Sequence, residues 1–128
     1  MTWGAIKRNL TDKLFSDYIR IKAKWICELC KRDFSTRQSK FDCSHFYTRG
    51  NKAVRFAEEN CSALCRGCHD YFGKNPKEHT LWMERKLGME GFAKLTIRAH
   101  QTKPSWEIKF DEQTMRVWLK QQLARMGA

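Results

Sequence analysis

The sequence is poor in residues that break or loosen a chain. It has two prolines and seven glycines in 128 residues, with no low-complexity segment and no internal repeat. It also lacks an apolar run of membrane-spanning length, and its start, MTWGAIKRNL, has no signal-peptide core. We therefore expect one cytoplasmic domain over residues 1–128, with a modest core and no membrane partner.

Acidic residues are scarce relative to basic ones. Fourteen Asp and Glu stand against 25 Lys and Arg, which gives a formal charge of +11 and a pI near 9.6. The basic residues are spread along the chain, so the charge belongs to the folded surface. This balance favours a polyanionic partner, with nucleic acid ahead of a membrane surface. The alternative is a basic protein whose charge serves solubility alone.

Two C-x-x-C pairs form the strongest motif of the sequence. Cys27 and Cys30 stand in CELC, and Cys65 and Cys68 stand in CRGC. Two such pairs are typical of a structural Zn²⁺ site, because each turns two thiolates toward one point. Disulfides and buried thiols are the alternatives, but a cytosol keeps thiols reduced, which suits zinc. Two further cysteines are expected to be packed core thiols: Cys43 and Cys61.

Hydrophobic periodicity predicts an α+β fold in three segments. A helix is expected over 5–23, with Thr11 as its cap, followed by a zinc-bound core over 25–75. In that core KFDCSHFYT alternates as a strand does, and 53–56 predicts a second strand. This hairpin and the helix opened by CRGC would form a ββα unit.

The last segment, 76–128, is expected to be helical. The stretch NPKE at 75–78 predicts a helix start with a capping box, and Gly88 predicts the end of that helix. Three elements should follow: a helix over 89–100, an extended piece over 106–110 and a last helix capped by Asp111.

Three polar residues of the central segment suit phosphodiester hydrolysis. His45, on the predicted strand, is the candidate general base, because imidazole titrates near neutral pH. Asn60 is a candidate for holding the hairpin or the histidine in place. His69, directly after the second cysteine pair, is a candidate ligand of a second metal ion. Each taken alone is more often structural, and it is their order along the chain that indicates this chemistry.

That ordered set resembles the HNH, or ββα-metal, endonuclease superfamily. The likeness rests on SH at 44–45, EN at 59–60 and LCRGCH at 64–69, with CELC upstream. The layout is similar to the phage endonuclease VII group of Holliday-junction resolvases. A closer similarity, to the phage NinG/Rap recombination proteins, runs through DKLFSDYIRIKAKWICELC, CSHFYTRG, VRFAEEN and CRGCHDYFGKN.

The resemblance implies a phage or prophage DNA endonuclease that acts in the host cell on branched DNA. His45 would be the base, Asn60 the motif asparagine and His69 a ligand of catalytic Mg²⁺ or Mn²⁺, with structural zinc on the four cysteines. A homodimer is expected if the protein resolves junctions, since two strands must be cut.

This chain departs from the superfamily at one position. Members commonly have an acidic or histidine metal ligand immediately before the base, where this chain has Ser44. Asp42, two residues earlier, is the expected substitute. Phosphate contacts are expected from basic residues around the site: Arg49, Lys52, Arg55 and Arg66. A non-catalytic zinc-dependent DNA-binding module is the alternative function that Ser44 favours. A zinc-stabilised protein–protein adaptor is a third, but it leaves the charge and the two histidines unexplained.

Overall fold

The computed structural model describes residues 7–128. Within this range the chain forms four helices and one two-stranded sheet, which is an α+β architecture. The elements in chain order are α1 (Leu10–Lys22), a 3₁₀ turn (Gln38–Lys40), β1 (Phe41–His45), a second 3₁₀ turn (Glu58–Asn60), β2 (Cys61–Cys65), α2 (Arg66–Lys74), α3 (Pro76–Ala99) and α4 (Ser105–Arg125).

Helix α1 begins at Leu10, later than the sequence predicted. Asn9 caps it: its side chain accepts a hydrogen bond from the Asp12 backbone N–H, and the Asp12 carboxylate accepts one from the Asn9 N–H. Thr11 is therefore not the cap; it is buried in the first turn. Positions 5 and 6 of the predicted helix lie outside the described residues. The predicted apolar face is confirmed, because Phe15, Tyr18 and Ile19 are all buried.

The two strands pair antiparallel, but the second strand is not where the alternation suggested. β1 pairs with Cys61–Cys65, with Phe41 opposite Cys65 and His45 opposite Cys61. The predicted strand at 53–56 is instead a series of turns. Val54 is fully buried there, so its apolar character reflects packing of a loop rather than a ladder of strand hydrogen bonds.

The first cysteine pair covers the outer edge of β2. The Glu28 backbone N–H donates to the Ala63 carbonyl over 2.9 Å, and the Glu28 carboxylate accepts from the Ala63 N–H over 2.6 Å. Lys86 of α3 then binds the Glu28 carboxylate and the Cys61 carbonyl. These bonds join CELC, the sheet and α3 without any contribution from a metal ion.

The C-terminal helices differ from the sequence prediction in three places. α3 starts at Pro76 as predicted, but Asn75 makes no capping bond and donates to the Tyr71 carbonyl instead. The predicted helix end at Gly88 is confirmed, because its φ of +75° breaks the helical path before a second helical stretch runs to Ala99. The predicted extended piece at 106–110 is helical, because α4 starts at Ser105, so Asp111 lies inside α4 rather than capping it.

Buried side chains form two clusters. The larger lies between α1, the sheet and α4, and includes Phe15, Phe41, Leu64 and Leu119. The smaller joins the loop before β2 to α3 through buried Val54, Ala57, Met83, Leu95 and Ala99. None of the helices described over residues 7–128 is long and apolar enough to cross a membrane.

Candidate functional site

The four predicted zinc ligands come together at one point. The sulfurs of Cys27, Cys30, Cys65 and Cys68 all lie within 4.8 Å of one another, and those of Cys30 and Cys65 are 3.9 Å apart. A tetrahedral Zn²⁺ with bonds of about 2.3 Å holds its thiolates about 3.8 Å apart. The four residues therefore fit a zinc ion with little movement.

Local hydrogen bonding prepares these thiols for a metal. The Cys30 N–H points at the Cys27 sulfur and the Cys68 N–H at the Cys65 sulfur, each over 3.5 Å. Burial opposes ionisation of Cys27, but backbone N–H groups of Cys65, Cys30 and Leu29 outweigh it and lower the pKa of that thiol to about 7. Burial and the neighbouring thiols raise the pKa of Cys68. Such a cluster ionises fully only when a cation balances its charge.

Beside this centre, a cleft of about 500 Å³ brings together three of the residues predicted to act in catalysis or to bind the catalytic cation. Asp42 and His45 of β1 and His69 of α2 all line it, across from α1. α2 begins immediately after Cys65, which caps it through the Cys68 N–H, so the cysteine centre fixes where His69 lies relative to β1. Ser44 is buried opposite Ser62 and is not among the described residues that line the cleft.

Asp42 connects Arg66 and His69 in the cleft through hydrogen bonds to both side chains. Its Oδ2 lies 3.0 Å from His69 Nδ1, and its two oxygens accept from Arg66 Nε and Nη2 over 2.8 and 3.1 Å. Burial alone would raise the pKa of Asp42, but the hydrogen bonds and charges of Arg66 and His69 outweigh it and lower that pKa. The carboxylate is thus ionised and only accepts, so His69 Nδ1 carries a proton, and in the neutral imidazole the lone pair lies on Nε2.

His45 is held in one tautomer. Its Nε2 lies 3.0 Å from the Arg55 carbonyl oxygen. A carbonyl can only accept, so Nε2 carries the proton and Nδ1 keeps a lone pair. Burial lowers the pKa of His45, which keeps the ring neutral near pH 7. The arrangement gives a half-buried, oriented imidazole with basic capacity on Nδ1.

Asn60 holds the loop that contains the Arg55 carbonyl. Its side chain is fully buried and accepts from the Tyr47 N–H over 2.8 Å. Its amide N–H groups donate to the Tyr47 carbonyl over 2.8 Å and to the Val54 carbonyl over 3.2 Å. Asn60 therefore holds the two ends of the loop between β1 and β2 together. Its side chain hydrogen-bonds the backbone rather than the His45 ring.

The four predicted phosphate-binding residues do not share one environment. Arg49 and Arg66 line the cleft, whereas Lys52 lines a different depression beside α4. The prediction for Arg55 is wrong. Arg55 is only 7% exposed, and its guanidinium is paired with Asp12 of α1 through Nε and Nη2. A guanidinium that is buried and already paired with a carboxylate is not available to a phosphate.

Comparison with known protein families finds a match for this chain. The family model described as bacteriophage lambda NinG protein matches residues 6–125. The chain belongs to the NinG family. NinG is a phage family associated with recombination. No curated protein and no solved structure matches the chain.

In this member of the NinG family, α1 also contributes to the cleft, which the motifs did not predict. Asp12 and Arg20 of α1 line it, as does Arg8 just before the helix, together with Asp42 and His69. The available signal was the basic side chains of the helix predicted over 5–23, which include Arg8 and Arg20, but the sequence alone cannot distinguish a solvated face from one folded over a site. Asp12 gave no signal, because its role depends on Arg55.

Proposed function

We propose that the protein is a divalent-metal-dependent DNA endonuclease of the HNH, or ββα-metal, type, acting on branched recombination DNA. The observation that carries the proposal is the cleft. It gathers an oriented neutral imidazole, an imidazole–carboxylate pair and several arginines beside a cysteine centre, on a strand–strand–helix unit. Membership of a recombination-associated phage family supports DNA as the substrate.

His45 is the proposed general base. Its Nε2–H is occupied by the Arg55 carbonyl, so Nδ1 is the atom that accepts a proton from the attacking water. The lowered pKa keeps this atom unprotonated at neutral pH, as a base requires. Asn60 supports the step indirectly by fixing the loop that contains the Arg55 carbonyl.

Asp42 and His69 are the proposed ligands of the catalytic cation. Asp42 offers a carboxylate oxygen, which Mg²⁺ and Mn²⁺ both accept, and His69 offers Nε2. When bound, the ion would supply positive charge to the scissile phosphate and the leaving oxygen. In the structure Asp42 instead accepts a hydrogen bond from His69 Nδ1, in the way that carboxylates commonly orient metal-binding histidines. Because Nε2 lies on the other side of the ring, Asp42 can bind the same ion as His69 only after one of the two side chains rotates and this bond breaks.

Arginines would position the phosphate backbone. Arg8, Arg20, Arg49 and Arg66 line the cleft. Nη1 of Arg49 is buried, lies 3.9 Å from Asp12 and has no hydrogen-bond partner among the described residues. A buried N–H without an acceptor is costly, and a phosphate oxygen would satisfy it. Contacts of this kind read backbone and shape rather than base sequence, which suits a branched substrate and a homodimer that cuts two strands.

One observation favours the second candidate, a non-catalytic zinc-dependent DNA-binding module. Arg66 occupies both oxygens of Asp42, and a guanidinium there neutralises the charge that would attract a cation. If Arg66 stays in place on DNA, the same cleft binds phosphate without cutting it.

Cleavage of a plasmid and of a synthetic four-way junction, each with Mg²⁺, Mn²⁺ or EDTA, tests the proposal. We expect metal-dependent cutting that is lost in His45→Ala and His69→Ala while junction binding persists. His100→Ala is the matched control, because His100 is exposed at the end of α3 and its ring, among residues 7–128, hydrogen-bonds the Thr96 carbonyl alone.

Two results would decide against the enzyme. Junction binding without cutting under any metal condition would favour the DNA-binding module. Cutting that survives in purified His45→Ala would assign the activity to other residues or to a contaminant.

A further inference from the structure

A second group of metal-binding side chains lies outside the four-cysteine centre. His45 of β1 is directly opposite Cys61 of β2, and Cys43 stands two residues before His45 on the same strand. One ligand atom from each of the three lies within 4.8 Å of the other two. Cys61 is buried and the other two are half-buried. Neither cysteine contributes to the first centre.

The chemistry of this trio suits a soft cation. Two thiolates and one imidazole are a donor set that Zn²⁺ accepts, with a fourth position left for water. Because His45 Nε2–H is bonded to the Arg55 carbonyl, Nδ1 is the ring atom with a free lone pair. The thiols need only move from within 4.8 Å of each other to about 3.8 Å, the sulfur separation of a tetrahedral zinc site.

We propose that Cys43, His45 and Cys61 form a second, reversible Zn²⁺ site, and that its occupation blocks the histidine. The site is weaker than the four-cysteine centre because it has three protein ligands rather than four. Occupation takes the Nδ1 lone pair, so a bound ion and proton transfer at His45 exclude each other. Zn²⁺ binding at this site does not depend on the proposed nuclease function, whereas inhibition of cleavage by the bound ion rests on it.

Metal counting tests the binding directly. The full-length protein is equilibrated with buffered Zn²⁺ and its ions per chain are measured by native mass spectrometry, with Co²⁺ absorption reporting thiolate ligation. Wild type should take a second ion with rising free metal, with additional thiolate–Co²⁺ absorption. Cys43→Ser and His45→Gln should stop at one thiolate-bound ion, while His100→Gln, altered at an exposed histidine, should still take two.

The first ion is an internal control for folding, since a variant that retains it has kept the four-cysteine centre. A wild-type chain that never exceeds one thiolate-bound ion would overturn the proposal. So would a second ion that persists in Cys43→Ser with its thiolate–Co²⁺ absorption unchanged.

Inhibition is measured separately. In the cleavage assay with Mg²⁺ or Mn²⁺, added Zn²⁺ should inhibit wild type, and the concentration that halves cleavage should rise at least about tenfold in Cys43→Ser, since even residues that only support metal ligands change affinity by that much. An equal response of the two proteins would refute the block. If no cleavage is found at all, the nuclease proposal fails while the metal count still decides the site.

Discussion

Replacing Asn60 by alanine tests how the loop between β1 and β2 is held. The Asn60 side chain is fully buried and makes three hydrogen bonds, two to Tyr47 and one to Val54. Asn60→Ala removes all three and leaves the partner backbone groups unpaired in a place that water does not reach. The loop should loosen, and the Arg55 carbonyl that fixes the His45 tautomer should lose its position.

The size of the effect follows from the number of bonds. A net contribution of about 1 kcal/mol for each hydrogen bond gives a loss of about 3 kcal/mol. That is a large share of the roughly 5–15 kcal/mol by which a small domain is stable. Urea unfolding with zinc held constant measures it, as a lower midpoint at unchanged slope.

Asn51→Ala is the matched control for Asn60→Ala. Asn51 belongs to the same loop but makes one side-chain hydrogen bond, to the Ala99 carbonyl over 2.9 Å. Its loss should cost about 1 kcal/mol. If Asn60→Ala costs no more than Asn51→Ala, the three-bond account is refuted, and the loop is held by packing of residues such as Val54 instead.

Three further predictions concern the metal and the titrating groups. Cys30→Ser should weaken zinc binding and let EDTA unfold the chain at concentrations that wild type resists, monitored by tryptophan fluorescence. Asp12 has a lowered pKa because the hydrogen bonds and charges of Arg55, with the Asn9 N–H, outweigh burial; its stabilising effect is present above the ordinary 3.8 and is lost as pH falls through the lower folded value. Asp12→Asn should therefore flatten the acid end of the stability curve, and an unchanged curve would contradict this. His79 of α3 stacks on Phe72, and burial lowers its pKa to about 4. Its contribution to the free energy of unfolding is therefore complete above pH 6.5 and is lost as pH falls toward 4, and His79→Phe should remove that slope from the stability curve.

Much of the fold was predictable because its signals are local. The cysteine pairs and the apolar face of α1 were visible in the sequence and are confirmed. The second strand was misplaced because Val54 is apolar for packing under a loop, and apolar character alone does not reveal hydrogen-bond partners. The extended piece at 106–110 was wrong because Trp106 and Phe110, four residues apart, also share one face of a helix.

The site was predictable where its residues belong to the ordered motif. Asp42, His45 and His69 share a cleft, although their chemical roles stay predictions. The fate of Arg55 could not be predicted, because its burial depends on Asp12 in a distant helix. The share of α1 in the cleft has the same cause: it depends on how elements pack, which residue spacing does not encode.

The bonds between Glu28 and Ala63 have a consequence for self-association. A strand at the margin of a sheet normally offers free N–H and C=O groups to which a neighbouring molecule can add a strand. Here the groups of Ala63 are taken by Glu28, and the Cys61 carbonyl by Lys86. Fibril-like growth from that margin is closed off. A second subunit, if one assembles, cannot add a strand at this margin.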